Sequence, residues 1–275
     1  ENLAAASSNR SNPVSKKRNQ DHQKAESDPA TDSEHIYEGV RTEPGSQHEE
    51  GEMPSLEAFK HVAKGLAYQD KGDYDRAIAE YDKAIALAPR HAMAYFNRGT
   101  TYSDKGEFEK AIADYDKAIA YDPEDAKAYT NRGIIHAKKG ELDRSIEDLT
   151  KAIALNPDDL KAYGTRGLAY AKKGDYNRAI LDYEKVISLN PNDAIAFYNR
   201  GLAYDKKGDH DRAILDYDKA IALSPKDAVI YNNRGVAYHR KGEVDRAILD
   251  YDEAISLDPS YANAYYDRGR AYHDK

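Results

Sequence analysis

Cysteine is absent from this 275-residue chain. That excludes disulfides, thiolate nucleophiles and every zinc site built on sulfur, and it leaves the redox compartment open. Tryptophan is absent too, and only four phenylalanines and two methionines occur. A hydrophobic fraction of 40%, much of it Ala and Tyr, cannot furnish one deep core, so a thin continuous core in an elongated fold is expected. No apolar run approaches the ~18 residues that span a bilayer, so no membrane insertion is expected in this segment. There is no basic excess either. The net charge is −8, and residues 1–57 hold 6 Lys/Arg against 12 Asp/Glu, leaving 35 against 37 for the rest. A near-neutral body argues against nucleic acid as a partner. No phosphate-binding loop, nucleophile elbow or metal motif is present, so neither catalysis nor a cofactor nor a metal is expected.

Residues 1–57 read as a disordered acidic tail. Through residue 53 the only large apolar side chains are Leu3, Val14, Ile36, Tyr37, Val40 and Met53, too few to offset chain entropy. Lys16-Lys17-Arg18 reads as a solvated charge run. Order is expected to begin near Ser55, an N-cap candidate after Pro54 and before Leu56-Glu57-Ala58-Phe59. A chain that opens on Glu1 and stops mid-pattern at Lys275 is expected to be a fragment or a processed form.

Beyond the tail the chain repeats every 34 residues. Pro89, Pro123, Pro157, Pro191, Pro225 and Pro259 keep that step, as do Gly65, Gly99, Gly133, Gly167, Gly201, Gly235 and Gly269. Placing the second series at position 8 gives full repeats 58–91, 92–125, 126–159, 160–193, 194–227 and 228–261, then a half-repeat, 262–275. Each unit reads as two helices, A and B. In 160–193, Asp159 and Asp175 stand where N-caps belong, Gly174 ends the first helix, and Asn190-Pro191 ends the second. A mid-helix glycine costs about 0.5–1 kcal/mol relative to Ala. Its recurrence at position 8 implies a close helix crossing, expected against the small residue at position 20 (Ala77, Ala111, Ser145, Ala179, Ala213, Ala247).

The second repeat carries Tyr95, Gly99, Tyr102, Ala111, Tyr115, Ala118 and Pro123 at positions 4, 8, 11, 20, 24, 27 and 32. On these residues the stretch 58–275 resembles the tetratricopeptide repeat family, and its near-uniform repeats are similar to bacterial members. His61, His136 and Leu149 are small departures. The resemblance implies an all-α, right-handed α-solenoid of antiparallel helix pairs with helix A lining a concave groove. It also implies a scaffold that binds protein or peptide partners in that groove.

Positions 2, 6, 9 and 13 share one face of helix A. Position 6 supplies Asn97, Asn131, Asn199 and Asn233, whose amides suit the backbone of an extended peptide. Position 13 switches sign, from Asp70 and Asp104 to Lys138, Lys172, Lys206 and Arg240, and position 2 adds Lys127 and Lys161, a basic middle of the groove that favours an acidic, extended segment. Tyr198, at position 5, completes the candidate groove. Lysine in the last helical turn also offsets the helix dipole, a competing account of that column. Asp205, His239 and His273 share position 12, too far apart across repeats for one ion. The Lys and Asn that chaperone-binding members place at positions 5 and 9 are missing. The acidic stretch Glu43 to Glu52 is a tethered candidate occupant of the groove. Two other roles stay open: the recruiting or regulatory arm of a larger enzyme, or a structural spacer that multimerises, with self-association.

Overall fold

The computed structural model describes residues 54–275; the expectations for residues 1–53, disorder and groove occupancy, lie outside the described residues. The described residues form one compact unit. It is an all-α solenoid of helix pairs: α1 (Leu56–Asp70) with α2 (Tyr74–Leu87), α3 (Ala92–Asp104) with α4 (Phe108–Tyr121), and α5 (Ala126–Lys139) with α6 (Leu142–Leu155). Then follow α7 (Leu160–Lys172) with α8 (Tyr176–Leu189), α9 (Ala194–Lys206) with α10 (His210–Leu223), α11 (Ala228–Arg240) with α12 (Val244–Leu257), and a last A helix, α13 (Ala262–Asp274). Leu56 and Glu57, which the repeat numbering left in the tail, are the first turn of α1, capped by Ser55 Oγ on the Ala58 amide at 3.3 Å.

The punctuation is local chemistry. Asp159 Oδ1 accepts from the amides of Lys161 and Ala162 at 3.0 Å each, opening α7. Gly174 then takes φ +81°, a left-handed conformation that side chains with a Cβ resist, and the Asp175 amide reaches back to the Tyr170 carbonyl at 2.9 Å. Asp175 in turn caps α8 through the Arg178 amide at 3.1 Å. Asn190, extended ahead of Pro191, ends it.

Within each pair, the glycine at position 8 lies under the side chain at position 24, not chiefly against position 20. A Cβ on Gly167 would stand 2.9 Å from the Tyr183 ring and 3.2 Å from Asp182 Cβ. Position 20 adds only its backbone, as with the Ala247 carbonyl 3.2 Å from the same point on Gly235. The reason is reach: an aromatic ring extends across the crossing where a methyl cannot. Tyr81, Tyr115, Tyr183, Tyr217 and Tyr251 are accordingly among the largest fully buried side chains.

Next to each glycine from repeat two onward stands an arginine. Arg98 makes a bidentate pair with Asp114 (2.8 and 2.7 Å) and sends Nη1 to Asp82 of the preceding repeat at 2.5 Å. Arg132 repeats this with Asp148 and Asp116, and Arg234 with Asp250 and Asp218. Arg166 finds the Thr150 hydroxyl at 3.1 Å instead of a carboxylate, and Arg200 pairs directly only with Asp216. Burial pushes the Asp182 and Asp250 carboxyls up, and Arg166 and Arg234 offset part of that. An outer rung joins Lys105 to Asp75, Lys139 to Glu109, Lys173 to Asp143, Lys241 to Asp211 and Lys275 to Asp245. At the corresponding positions stand Lys207 and Asn177, and no ion pair of this rung joins repeats four and five among the described residues. They are joined by apolar contact, in a core continuous from Ile180 through Leu202 and Tyr217 to Ala271, whereas earlier repeats hold smaller separate clusters.

Two outcomes follow from this packing. Gly167→Leu should lower stability by about 1–3 kcal/mol through overpacking against Tyr183, despite better helix propensity; chemical denaturation measures it, and parent-like stability would contradict the close crossing. Arg234→Ala strands a buried Asp250 and should cost about 2–4 kcal/mol, while Arg234→Leu combined with Asp250→Leu should recover most of the loss.

Candidate functional site

Successive A helices approach one another along the array while successive B helices stay further apart, so the A helices line the inner, concave side. The face they present inward holds positions 2, 6, 9 and 13. Apart from Thr100 its floor is apolar: Ile134, Leu168, Leu202 and Val236 at position 9, with Ala137 and Ala171 beside it, half-buried or buried. Gly164, at position 5 of the fourth repeat, leaves open space between Thr130 and Tyr198, since a Cβ there would meet nothing within 4 Å.

The expected site residues fall into two groups. Lys127, Lys138, Lys161, Lys172 and Lys206 are exposed on the groove face, and none has an ion-pair partner among the described residues. Lys138 lies over the Phe108 ring at 5.6 Å. In contrast, every arginine of position 7 and every cation of position 19 is paired with a carboxylate. Arg240 belongs with the paired set. Its guanidinium bonds Asp205 of the preceding repeat, so it is a neutralised member of the basic column, not a free cation.

The asparagine column is also divided. Asn233 Nδ2 donates to the Val229 carbonyl at 2.8 Å and to the Tyr198 hydroxyl at 3.3 Å, so its donor is engaged inside the solenoid. Asn131 lies against the Tyr115 hydroxyl, and Asn97 is only 9% exposed. Asn199 is half-buried and makes no side-chain hydrogen bond among the described residues. Tyr198 packs its ring 6.1 Å from Tyr217, and burial raises its phenol well above the usual range. Its ring thus packs within the fifth repeat while its hydroxyl meets Asn233 of the sixth.

The position 12 residues are occupied separately. Asp205 holds His210 at 2.8 Å as well as Arg240, and His239 meets Asp274 at 3.0 Å. Among the described residues no group of three or more metal-ligating side chains converges, and no helix is long and apolar enough to cross a membrane.

Sequence reasoning missed the apolar floor, noting position 9 only to exclude a chaperone clamp. It also missed the arginine ladder, although an arginine at position 7 in six repeats and an acid at position 23 in all six were visible signals.

Comparison with known proteins gives one consistent result. The family described as TPR repeat matches residues 65–106, 99–140, 167–208, 206–242 and 237–275, and tetratricopeptide repeat families match 126–159 and 149–180. A search of the curated proteins finds no match. Among solved structures, YrrB, described as a TPR protein with an unusual peptide-binding site, is 25% identical, with a TM-score of 0.64 over 69% of this chain and 97% of its own. MamA is 31% identical, with a TM-score of 0.59 over 62% of this chain and 93% of its own. A tetratricopeptide repeat protein from Parabacteroides merdae, 22% identical, shares the fold with a TM-score of 0.65 over 80% and 87%. With family matches from residue 65 to 275 on a solenoid of this geometry, the chain belongs to the tetratricopeptide repeat family.

Proposed function

We propose that this solenoid is a non-catalytic scaffold whose concave groove binds an extended, acidic peptide segment of a partner protein. The repeats and their structural neighbours support a protein-interaction scaffold in general, a fold that is typically non-catalytic. The observation that carries the narrower reading is the contrast in charge pairing. The arginine columns elsewhere are neutralised by carboxylates, while Lys127, Lys138, Lys161, Lys172 and Lys206 stand unpaired on the groove face. Such charges raise the local potential and attract an acidic ligand. Between them the floor of Ile134, Leu168 and Leu202 offers apolar contact, and Asn199 has a free amide for a peptide backbone.

The test is anisotropy with fluorescent extended peptides of acidic, neutral and basic composition. Lys138→Glu, Lys172→Glu and Lys206→Glu combined should weaken the acidic peptide at least about tenfold at low ionic strength, with the difference shrinking in high salt. Unchanged binding of the acidic peptide at low salt would reduce the column to dipole compensation. A preference for the neutral peptide would assign recognition to the floor.

A further inference from the structure

The outer face of the solenoid carries a feature independent of the groove. Leu181, Leu215 and Leu249 occupy position 22 of three consecutive B helices, α8, α10 and α12, and are 62%, 63% and 68% exposed. The same position in the first three repeats holds Ala79, Ala113 and Glu147. Single exposed leucines are ordinary on a protein surface. Three at one register on successive B helices form a spaced apolar stripe along the outer face, the kind of surface that marks an interaction site.

The charges beside the stripe identify its occupant. Three residues before each leucine stands an arginine, and three residues after stands an acid: Arg178 and Glu184, Arg212 and Asp218, Arg246 and Asp252. All six are exposed. On a helix, residues three apart flank the central one on the same face. Each helix therefore displays plus, leucine, minus along its length, in the same direction on all three. Turned by a two-fold axis that lies in the interface and crosses the helices at Leu215, this surface meets its own complement. Leucine faces leucine, and every arginine faces an acid of the opposite copy.

We infer that the face formed by α8, α10 and α12 is an isologous contact between two copies of this chain, packed with these helices antiparallel. The rim charges stay compensated when the leucines are covered. Arg178, Arg212 and Arg246 already pair with Asp175, Asp209 and Glu243, and Asp218 and Asp252 with Arg234 and Arg268. Contact with the second copy extends existing pairs and strands no lone ion. A shallow cleft beside Leu215, lined by Phe197, Arg200, Tyr204, Arg212 and Ala222, leaves room for the opposing side chains. The groove-facing positions 2, 6, 9 and 13 of the A helices are not part of this face, so both grooves of such a dimer stay accessible.

Sedimentation of the full chain across the micromolar range tests this. The parent should dimerise reversibly. Leu181→Ser, Leu215→Ser and Leu249→Ser combined should weaken association at least about hundredfold. These side chains are already exposed, so helical content and monomer melting should hold. A parent that is monomeric throughout, or a leucine variant that dimerises like the parent, overturns the inference. A second pair of variants checks orientation. Arg178, Arg212 and Arg246 all changed to Glu, and Glu184, Asp218 and Asp252 all changed to Arg, should each be monomeric alone, fold by circular dichroism, and associate when mixed. Failure of the folded variants to associate on mixing overturns the antiparallel pairing.

Discussion

The crossing of a backbone glycine beneath an aromatic ring sets the geometry of this solenoid. At Gly167 an added Cβ would come within 2.9 Å of Tyr183, so the distance between α7 and α8 is held by the absence of a side chain. The next contact follows from chain connectivity. Arg166 precedes the glycine and Asp182 precedes the tyrosine, so placing one pair places the other, and the guanidinium closes a bidentate bond with no further search. The free energy lost to glycine inside a helix is recovered through burial of the ring and satisfaction of the charge next to it. A 34-residue step then reproduces the crossing, and the accumulated rotation leaves the A helices inside and the B helices outside.

That geometry divides the polar surface into two kinds. Charges that face a neighbouring helix are paired at fixed spacing, as in Arg98 reaching both Asp114 and Asp82. On the inward face, Lys138, Lys172 and Lys206 have no ion-pair partner among the described residues. Arg240 escapes this rule because its side chain reaches Asp205, a buried acid that replaces the alanine of the two preceding repeats. One substitution in a column thus changes a free cation into a structural one.

Element identity was readable in the sequence because it rests on local chemistry. Asp159, Gly174, Asp175 and Pro191 act within a few residues of themselves, and the helices end where those residues stand. Pairing across 16 or 35 residues was less legible. Small residues at positions 8 and 20 suggest close approach to each other, whereas the ring at position 24 makes the contact. Asn233 showed only an amide in a polar column; that its donor is taken by Tyr198 depends on the angle between repeats, which no single repeat encodes. The leucine stripe went unread because each leucine alone fits the apolar composition of helix B.

The joints between repeats are not made of one material. Most are riveted by ions, Lys241 on Asp211 and Arg234 on Asp218 among them. The joint between the fourth and fifth repeats has Asn177 where the outer acid would stand, and it is sealed by Ile180 and Leu202. Salt screens the riveted joints and leaves the oily one intact. Cooling weakens apolar attraction at every joint, and the oily one has no ion pair beside it among the described residues to compensate. The place where this array bends most easily therefore moves along its length with the solution around it.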